Sequence, residues 1–262
     1  MESYDNLHLK LTDGILTITI DRESKMNALN QATMDDIKEA FLYIQDNPKD
    51  VRGVIVTGAG EKAFVAGADV NEFTGVNEMS ARKFAEGGQE IFQSIEDCHT
   101  PVIAVVNGFA LGGGCELAMA AHMRVAVSTA RFGQPEVNLG LIPGYGGTQR
   151  LAQLIGKGKA FEYLLNAEMI NADDALRLGL VNYVEPDVPS AIDKAKAILT
   201  KIMTKAPVAV GLVIDSVNAH FETGTNGYEA EAKAFARCFA TEDFKEGVDA
   251  FLNKRQANFK GE

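Results

Sequence analysis

Two glutamates in glycine-rich surroundings are the residues of this 262-residue chain best suited to acid–base chemistry. Glu116 follows three consecutive glycines, 112–114, and falls in the first turn of a predicted helix. Glu136 lies in a segment, 132–147, that is otherwise mostly apolar or glycine-rich. Burial among such residues would raise the pKa of a carboxyl group, as a general acid at neutral pH requires. A predicted strand separates the two glutamates, so both could face one pocket and divide the acid and base roles.

Two small-residue segments could supply hydrogen-bond donors to a ligand oxygen. Glycines 112–114 lie between an apolar strand and a helix, where ligands can approach bare backbone and free N–H groups favour negative charge. This pattern indicates a candidate oxyanion site. The loop 63–69, between a strand and the next helix, could offer a second N–H group. Glycines 112–114 alone are as typical of tight strand–helix packing. The loop 63–69 alone favours a packed turn, and each glutamate alone favours an ordinary surface or loop residue, so the catalytic interpretation depends on their combination.

Several other chemistries lack their sequence motifs. The chain has no P-loop spacing, no GxGxxG after a strand and no GxSxG. Its four histidines form no metal-binding motif, and its three cysteines are odd in number and far apart, so we expect neither a metal site nor a disulfide framework. Cys115 stands beside Glu116, but no motif places a histidine near it, which favours a buried thiol over a nucleophile.

Composition and charge narrow the class of protein. The 25 basic and 36 acidic residues give a formal charge of −11, which argues against binding to nucleic acid or to an anionic membrane surface. The apolar fraction of 46% and the charged fraction of 23% are typical of a globular protein. No apolar stretch is long enough to span a membrane, and residues 1–5 show no signal-peptide pattern. We therefore expect a cytoplasmic protein.

The hydrophobic pattern predicts alternating strands and helices followed by helices alone. Asp13 and Gly14 indicate a hairpin turn, and Ser80 is a plausible N-cap. The predicted strands are 7–11, 15–20, 51–57, 102–106, 123–127 and 179–184; the predicted helices are 29–44, 80–95, 115–122, 191–204, 207–221, 228–239 and 244–253. This order favours an α/β fold with a mostly parallel, buried sheet. We predict an α/β core over 1–188 and a helical region over 189–262, packed together because no flexible linker separates them.

In combination, these segments closely resemble the enoyl-CoA hydratase/isomerase, or crotonase, family along nearly the whole chain. The likeness is carried by residues 27–30, 63–69, 101–108, 110–116, 132–136, 143–150 and 254–259. The resemblance implies a crotonase-like spiral of ββα units whose C-terminal helical region makes trimers, commonly paired into hexamers. It also implies an acyl-CoA thioester substrate, with neither a metal nor a separate cofactor, since coenzyme A is part of the substrate.

The resemblance assigns roles to the candidate residues. Backbone N–H groups matching Ala68 and Gly113 hold the thioester oxygen in this family. Family hydratases of the short-chain type carry both acids, whereas isomerases typically keep only the second. The implied reaction is syn addition of water to a trans-2-enoyl-CoA, with Glu116 as the base toward water and Glu136 as the acid that protonates Cα.

Further residues are implicated in substrate binding by the same likeness. Gly144 would shape the pocket floor, and Ala28, Ala66, Asp69 and Val70 would lie along the bound coenzyme A. Position 71 is asparagine where some hydratases have a lysine, which leaves Lys25 as the nearest candidate to contact a phosphate group.

Two alternatives stay open within the family, and one outside its chemistry. The chain could be an enoyl-CoA isomerase or a branched-chain enoyl-CoA hydratase, although the presence of Glu116 disfavours the isomerase. A non-catalytic or RNA-binding member is disfavoured by the acidic charge and the intact pair of acids. The preferred acyl chain length and the pathway are left open by the sequence.

Overall fold

The computed structural model describes residues 4–262. Residues 1–3, part of the N-terminal stretch on which the expectation of no signal peptide depends, lie outside the described residues. The strands are β1 (Leu7–Thr12), β2 (Ile15–Ile20), β3 (Gly53–Gly58), β4 (Ala63–Val65), β5 (Val102–Val106), β6 (Phe109–Leu111), β7 (Met123–Val127), β8 (Arg131–Gly133), β9 (Ile170–Asn171) and β10 (Tyr183–Glu185). The α-helices are α1 (Gln31–Asp46), α2 (Glu78–Glu96), α3 (Gly113–Ala120), α4 (Gly147–Ile155), α5 (Lys157–Asn166), α6 (Ala172–Leu178), α7 (Val188–Met203), α8 (Pro207–Asn218), α9 (Gly227–Cys238) and α10 (Glu242–Leu252).

The strands form two sheets that share a repeated unit. The larger sheet has the order β1-β2-β3-β5-β7-β10, and the smaller has the order β4-β6-β8-β9. Three times, a strand of the larger sheet is followed by a short strand of the smaller sheet and then by helix: β3-β4-α2, β5-β6-α3 and β7-β8-α4. The expected α/β spiral of ββα units is therefore confirmed.

The larger sheet is parallel except at one edge. The predicted hairpin about Asp13 and Gly14 is present, with β1 antiparallel to β2. Beyond β2, each neighbouring pair in this sheet is parallel. Every residue of β3 and β5 is buried, which is typical of parallel strands covered on both faces and explains why these strands read as continuous apolar runs. The core of the molecule lies here.

Helix α2 begins two residues earlier than predicted, and Ser80 is not its N-cap. The cap is Asn77, whose side chain accepts from the Ser80 N–H at 3.0 Å. The Ser80 hydroxyl in turn accepts from the Asn77 N–H at 3.0 Å, which completes a capping box. The serine therefore stabilises the same helix end from inside the first turn.

The strand predicted over 179–184 is also corrected. Gly179 has φ +82° and caps α6, so only Tyr183–Glu185 is extended and paired, as β10. Glycine adopts this left-handed conformation without a steric penalty, which is why the helix ends there rather than a strand beginning.

The C-terminal helices follow the last strand. Helix α7 packs on the larger sheet through Ala191, Ala195 and Leu199, which are fully buried. Helices α8 to α10 leave several large apolar side chains exposed, among them Tyr228, Phe235 and Phe251. The division into 1–188 and 189–262 stays a prediction. Within residues 4–262 no single helix is long and apolar enough to cross a membrane; α7 and α8, bent by 110°, satisfy length and composition only as a pair.

Candidate active site

A cavity of about 530 Å³ lies between α2, the start of α3 and the segment that follows β8. Its lining includes Ala68, Gly113, Glu116 and Glu136, which come from three separate segments of the sequence. The carboxyl ends of β4 and β6 lead into Ala68 and Gly113, and ligand sites of α/β folds typically form at that edge of a sheet.

Ala68, in the loop after β4, lines the cavity, and the backbone contacts of its loop do not use its N–H. Ala68 forms a parallel bridge with Leu29, in which the Leu29 N–H donates to the Gly67 carbonyl at 2.8 Å and the Asp69 N–H donates to the Leu29 carbonyl at 2.7 Å. A parallel bridge of this kind uses the Gly67 carbonyl and the Asp69 N–H, on either side of Ala68, and not the N–H of Ala68 itself. Among the described residues, the Ala68 N–H therefore has no acceptor.

The N–H of Gly113 is free because Gly113 is the first residue of helix α3. The first helical bond of α3 runs from the Glu116 N–H to the Gly112 carbonyl at 3.0 Å, which leaves the Gly113 N–H without an acceptor in the described chain. Gly112 has φ +48°, a conformation that turns the chain sharply and favours glycine. A methyl group on Gly113 would lie 3.5 Å from the Ala68 nitrogen, so the two segments meet at one place.

Glu116 is buried and held by backbone donors. One carboxylate oxygen, Oε1, accepts from the N–H of Tyr145 at 2.8 Å and from that of Gly147 at 2.7 Å. No described residue donates to Oε2, and no fully buried side-chain oxygen in residues 4–262 lacks a partner, so Oε2 opens to the cavity. Burial raises the Glu116 pKa to about 7, with a further contribution from Glu136, against the lowering effect of the two backbone donors.

Glu136 begins the short 3₁₀ helix Glu136–Leu139 and is half-buried. Burial raises the pKa of its carboxyl above the ordinary value. The Gln134 amide, oriented with its nitrogen toward Glu136, donates to Oε1 at 3.2 Å and to Oε2 at 3.3 Å. A methyl group on Gly112 would lie 2.7 Å from Glu136 Oε1, so glycine at position 112 leaves the space that this carboxyl occupies.

The other predicted site residues divide into two groups. Ala66, Val70 and Gly144 line the cavity. Lys25, Ala28 and Asp69 do not. The Ala28 carbonyl accepts from the Arg22 guanidinium. The Asp69 carboxylate pairs with Arg22 at 3.2 Å and accepts from the Asn71 amide at 2.7 Å. Lys25 is the exposed last residue of the 3₁₀ helix Glu23–Lys25.

The apolar wall of the cavity was not predicted. It consists of side chains from α2, from the loop before it and from the segment after Glu136, including Phe73, Phe84, Leu139, Leu141, Ile142 and Tyr145. Phe84 packs edge-to-face against Phe73 and at a tilt against Tyr145, with ring centroids 5.5 and 5.6 Å apart. These residues lie on different elements at no regular spacing, so the sequence carried no signal that they share a wall.

The N–H donors to Glu116 were also missed. The segment containing Tyr145 and Gly147 had been noted for its glycines, but residue types do not reveal where backbone N–H groups point. The arrangement is nevertheless chemically specific, since it fixes one carboxylate oxygen and leaves the other free to contact a water molecule.

Among residues 4–262 the site holds a buried thiol and no cluster of metal ligands. Cys115 is buried, and burial raises its pKa to about 12, so it is a protonated thiol as the sequence analysis favoured. Within residues 4–262, no group of three or more His, Cys, Asp or Glu side chains is placed to hold a metal ion.

Comparisons with known proteins agree with this geometry. Residues 10–262 match the family model described as enoyl-CoA hydratase/isomerase. The chain is 47% identical to a crotonyl-CoA hydratase of Syntrophomonas wolfei, covering 98% of each protein. It is 46% identical to a short-chain-enoyl-CoA hydratase of Clostridium acetobutylicum, covering 96% of each. The crystal structure of an enoyl-CoA hydratase from Bacillus anthracis superposes with a TM-score of 0.91 at 37% identity, covering 98% of this chain and 100% of that one. The chain therefore belongs to the enoyl-CoA hydratase/isomerase family.

Proposed function

We propose that this chain is a short-chain enoyl-CoA hydratase, which adds water syn across a trans-2-enoyl-CoA to give the 3-hydroxyacyl-CoA. The observation that carries the proposal is the meeting of two carboxyl groups, Glu116 and Glu136, with two free N–H groups, those of Ala68 and Gly113, at one cavity. The names of the relatives, crotonyl-CoA hydratase and short-chain-enoyl-CoA hydratase, support the substrate class.

The two N–H groups stabilise negative charge on the thioester oxygen. Attack of water at Cβ moves electrons from the double bond through Cα to that oxygen, which becomes an enolate. Donors already aimed at the oxygen bind the enolate more strongly than the neutral thioester, and losing one such donor typically costs roughly 3–4 kcal/mol of transition-state stabilisation. Ala68 and Gly113 are assigned this role.

The two carboxyl groups move the protons. Glu116 accepts a proton from water as the oxygen bonds to Cβ, and Glu136 gives a proton to Cα as the enolate collapses. The cycle leaves Glu116 protonated and Glu136 ionised, and exchange with solvent restores both. Since both act on one face of the double bond, the addition is syn. An isomerase needs only one acid that shuttles a proton between two carbons, so the buried and specifically held Glu116 favours hydration.

The remaining predicted site residues are proposed to contact the coenzyme A portion or the acyl chain of the substrate. Ala66, Val70 and Gly144 line the cavity and are proposed to lie along the acyl-CoA. Lys25 and Ala28 are proposed to contact the coenzyme A portion outside the cavity. Because the Asp69 carboxylate is engaged by Arg22 and Asn71, we assign Asp69 to holding this loop in place as well as flanking the substrate.

The assembly and location are part of the same proposal. Exposed aromatic side chains on the C-terminal helices, such as Tyr228, Phe235 and Phe251, favour a homotrimer or a hexamer of two trimers, since isolated chains rarely expose so much apolar surface. Light scattering after size exclusion should give three or six times the mass of the chain. The free cysteines Cys98, Cys115 and Cys238 favour the reducing cytoplasm.

Steady-state kinetics on a panel of enoyl-CoA thioesters tests the proposed activity. We expect loss of the enoyl thioester absorbance with crotonyl-CoA, with the highest kcat/KM among the short straight chains. Faster turnover of a branched enoyl-CoA, or isomerisation of a 3-enoyl-CoA at a higher rate than hydration, would contradict it. Absent turnover together with salt-sensitive RNA binding would instead support a non-catalytic role.

A further inference from the structure

We propose that Arg150 is a positioning residue for this site: its guanidinium fixes the 145–147 segment whose N–H groups hold Glu116. The proposal rests on the proposed function, because it explains how the base of that reaction is placed. Arg150 lies in α4, is only 6% exposed, and does not touch the cavity that contains the glutamates.

The first step in the argument is the contact between Arg150 and Tyr145. The guanidinium Nη1 donates to the Tyr145 carbonyl at 2.9 Å. Gly146 follows, with φ +103°, and a methyl group there would collide with the same guanidinium. The two amides that bind Glu116 are those of Tyr145 and Gly147, on either side of this tight turn. Arg150 therefore holds the carbonyl that lies along the chain between these two amides.

The second step concerns the contacts that hold the Arg150 side chain in place. Its Nε and Nη2 both reach Glu96 Oε2, at 2.9 and 2.8 Å, and the pair is largely shielded from solvent. Glu96 is the last residue of α2, and its carbonyl accepts from His122 Nε2 at 3.0 Å and from the Asn218 amide at 2.8 Å. The turn is thus tied through Arg150 to a helix end that is fixed by α8 and by the segment before β7.

The third step is electrostatic. The charged groups that shift the Glu116 pKa are Glu136 and the Arg150 cation. The neighbouring Cys115 thiol and Tyr145 phenol are also coupled to Glu116, but burial, and the charge of Glu116 itself, raise the pKa of both. The positive charge of Arg150 lowers the Glu116 pKa, against the raising effects of burial and Glu136. Removal of this charge would therefore raise the Glu116 pKa, so that less of the carboxyl would be ionised at neutral pH and able to accept a proton.

Variants of the full chain test the role of Arg150. For R150M we expect kcat for crotonyl-CoA to fall on the order of 10–100-fold with KM changed less than about 3-fold, because substrate contacts persist while the base is misplaced. The acid-side midpoint of the pH–rate profile should rise by about 1 pH unit. R150K keeps the charge but not the planar fork, so we expect a smaller loss of kcat, at least about threefold, with a midpoint near that of the unchanged protein.

Controls separate positioning from mere stability. R82M removes an exposed arginine of α2 that pairs, within the described part of the chain, with Glu86 alone, and should leave kcat and the midpoint unchanged. A structural role alone would lower the thermal midpoint of R150M while its folded fraction kept the original kcat and pH midpoint, and that result would overturn the proposal. If R150M does not fold, R150K decides: an unchanged kcat would contradict the role of Arg150.

A titration that needs no turnover separates the two claims. Infrared spectroscopy can follow the protonation of the Glu116 carboxyl, identified as the signal lost in E116Q. An upward shift of that titration in R150M supports the inference even if crotonyl-CoA is not hydrated, in which case only the proposed function fails. An unshifted titration in R150M, beside normal hydration by the unchanged chain, overturns the inference alone.

Discussion

Gly88, in the middle of α2, lies directly against the ring of Tyr145, and a methyl group on Gly88 would overlap that ring. The ring is buried and packs edge-on against Phe92, with centroids 5.5 Å apart, and against Phe84. The N–H of the same tyrosine holds Glu116. A glycine in a helix interior normally costs stability relative to alanine, so its presence at 88 is explained by this close approach.

We predict that Gly88→Ala displaces Tyr145 and with it Glu116. The free energy of unfolding should fall by about 1–3 kcal/mol, as is usual for overpacking, and kcat for crotonyl-CoA should fall at least about 10-fold because the base moves. Gly87→Ala is the matched control, since a methyl group there meets nothing within 4 Å. Gly87→Ala should raise the unfolding free energy by up to about 1 kcal/mol. Equal behaviour of the two variants in urea unfolding and kinetics would refute the packing argument.

The rate of hydration should depend on the ionisation of Glu116. Because its pKa is raised to about 7 and the base must be ionised, kcat/KM should decrease as the pH falls below about 7, approaching tenfold per pH unit. Initial rates with crotonyl-CoA between about pH 5 and 9 measure this limb. A profile that stays flat to pH 5 would show that Glu116 is not the group that must lose its proton.

Ionisation of Glu116 should lower the free energy of unfolding at alkaline pH. Its folded pKa, about 7, lies above the ordinary value of 4.5, so the stability associated with the protonated form is lost as the pH rises through 7. Glu116→Gln keeps an oxygen for the Tyr145 and Gly147 donors and carries no charge. Urea unfolding should find this variant more stable than the unchanged chain by about 1–3 kcal/mol at pH 8, with the difference fading below pH 5. A less stable variant at pH 8 would contradict the sign.

His122 should make the fold sensitive to acid. Its Nδ1 accepts from the Val102 N–H at 2.9 Å and its Nε2–H donates to the Glu96 carbonyl, so the ring is held neutral, and burial lowers its pKa to about 4. A depressed pKa contributes stability above pH 6.5 that is lost as the pH falls through 4. The stability advantage over His122→Gln should shrink by up to about 3 kcal/mol between pH 7 and pH 4.

The comparison for this effect is His220→Gln, which changes an exposed histidine. Urea unfolding of the three proteins at several pH values measures the difference. A constant difference between His122→Gln and the unchanged chain across this range would mean that the imidazole does not resist protonation in the folded state.

Long apolar runs made the larger sheet predictable. The bounds of Met123–Val127 were predicted to the residue, because a short apolar run between turns is compatible with few other secondary structures. The strands of the smaller sheet contain only two or three residues, too few to show any period. Residue type alone indicated glycines 112–114 and the loop 63–69 as candidate donors, but the assignment of Ala68 and Gly113 in particular came only from family likeness.

Glu116 and Glu136 were found because acids are conspicuous among glycines and apolar residues. Their supports were not found, for a physical reason. The donors to Glu116 are backbone amides of Tyr145 and Gly147, and Arg150 reaches them through the Tyr145 carbonyl. Such contacts depend on the path of a glycine-rich turn, which residue types leave undetermined.

The central claim, that Glu136 is the acid that protonates Cα, is tested most directly by single-turnover and steady-state hydration of crotonyl-CoA with Glu136→Gln. Gln134 and Gly112 can still accommodate an amide at this position, so thioester binding should persist. Glu90→Gln, an exposed change in α2, is the control. We predict that Glu136→Gln abolishes measurable hydration while crotonyl-CoA still binds, and that Glu90→Gln turns over normally. Near-normal turnover by Glu136→Gln would contradict the account.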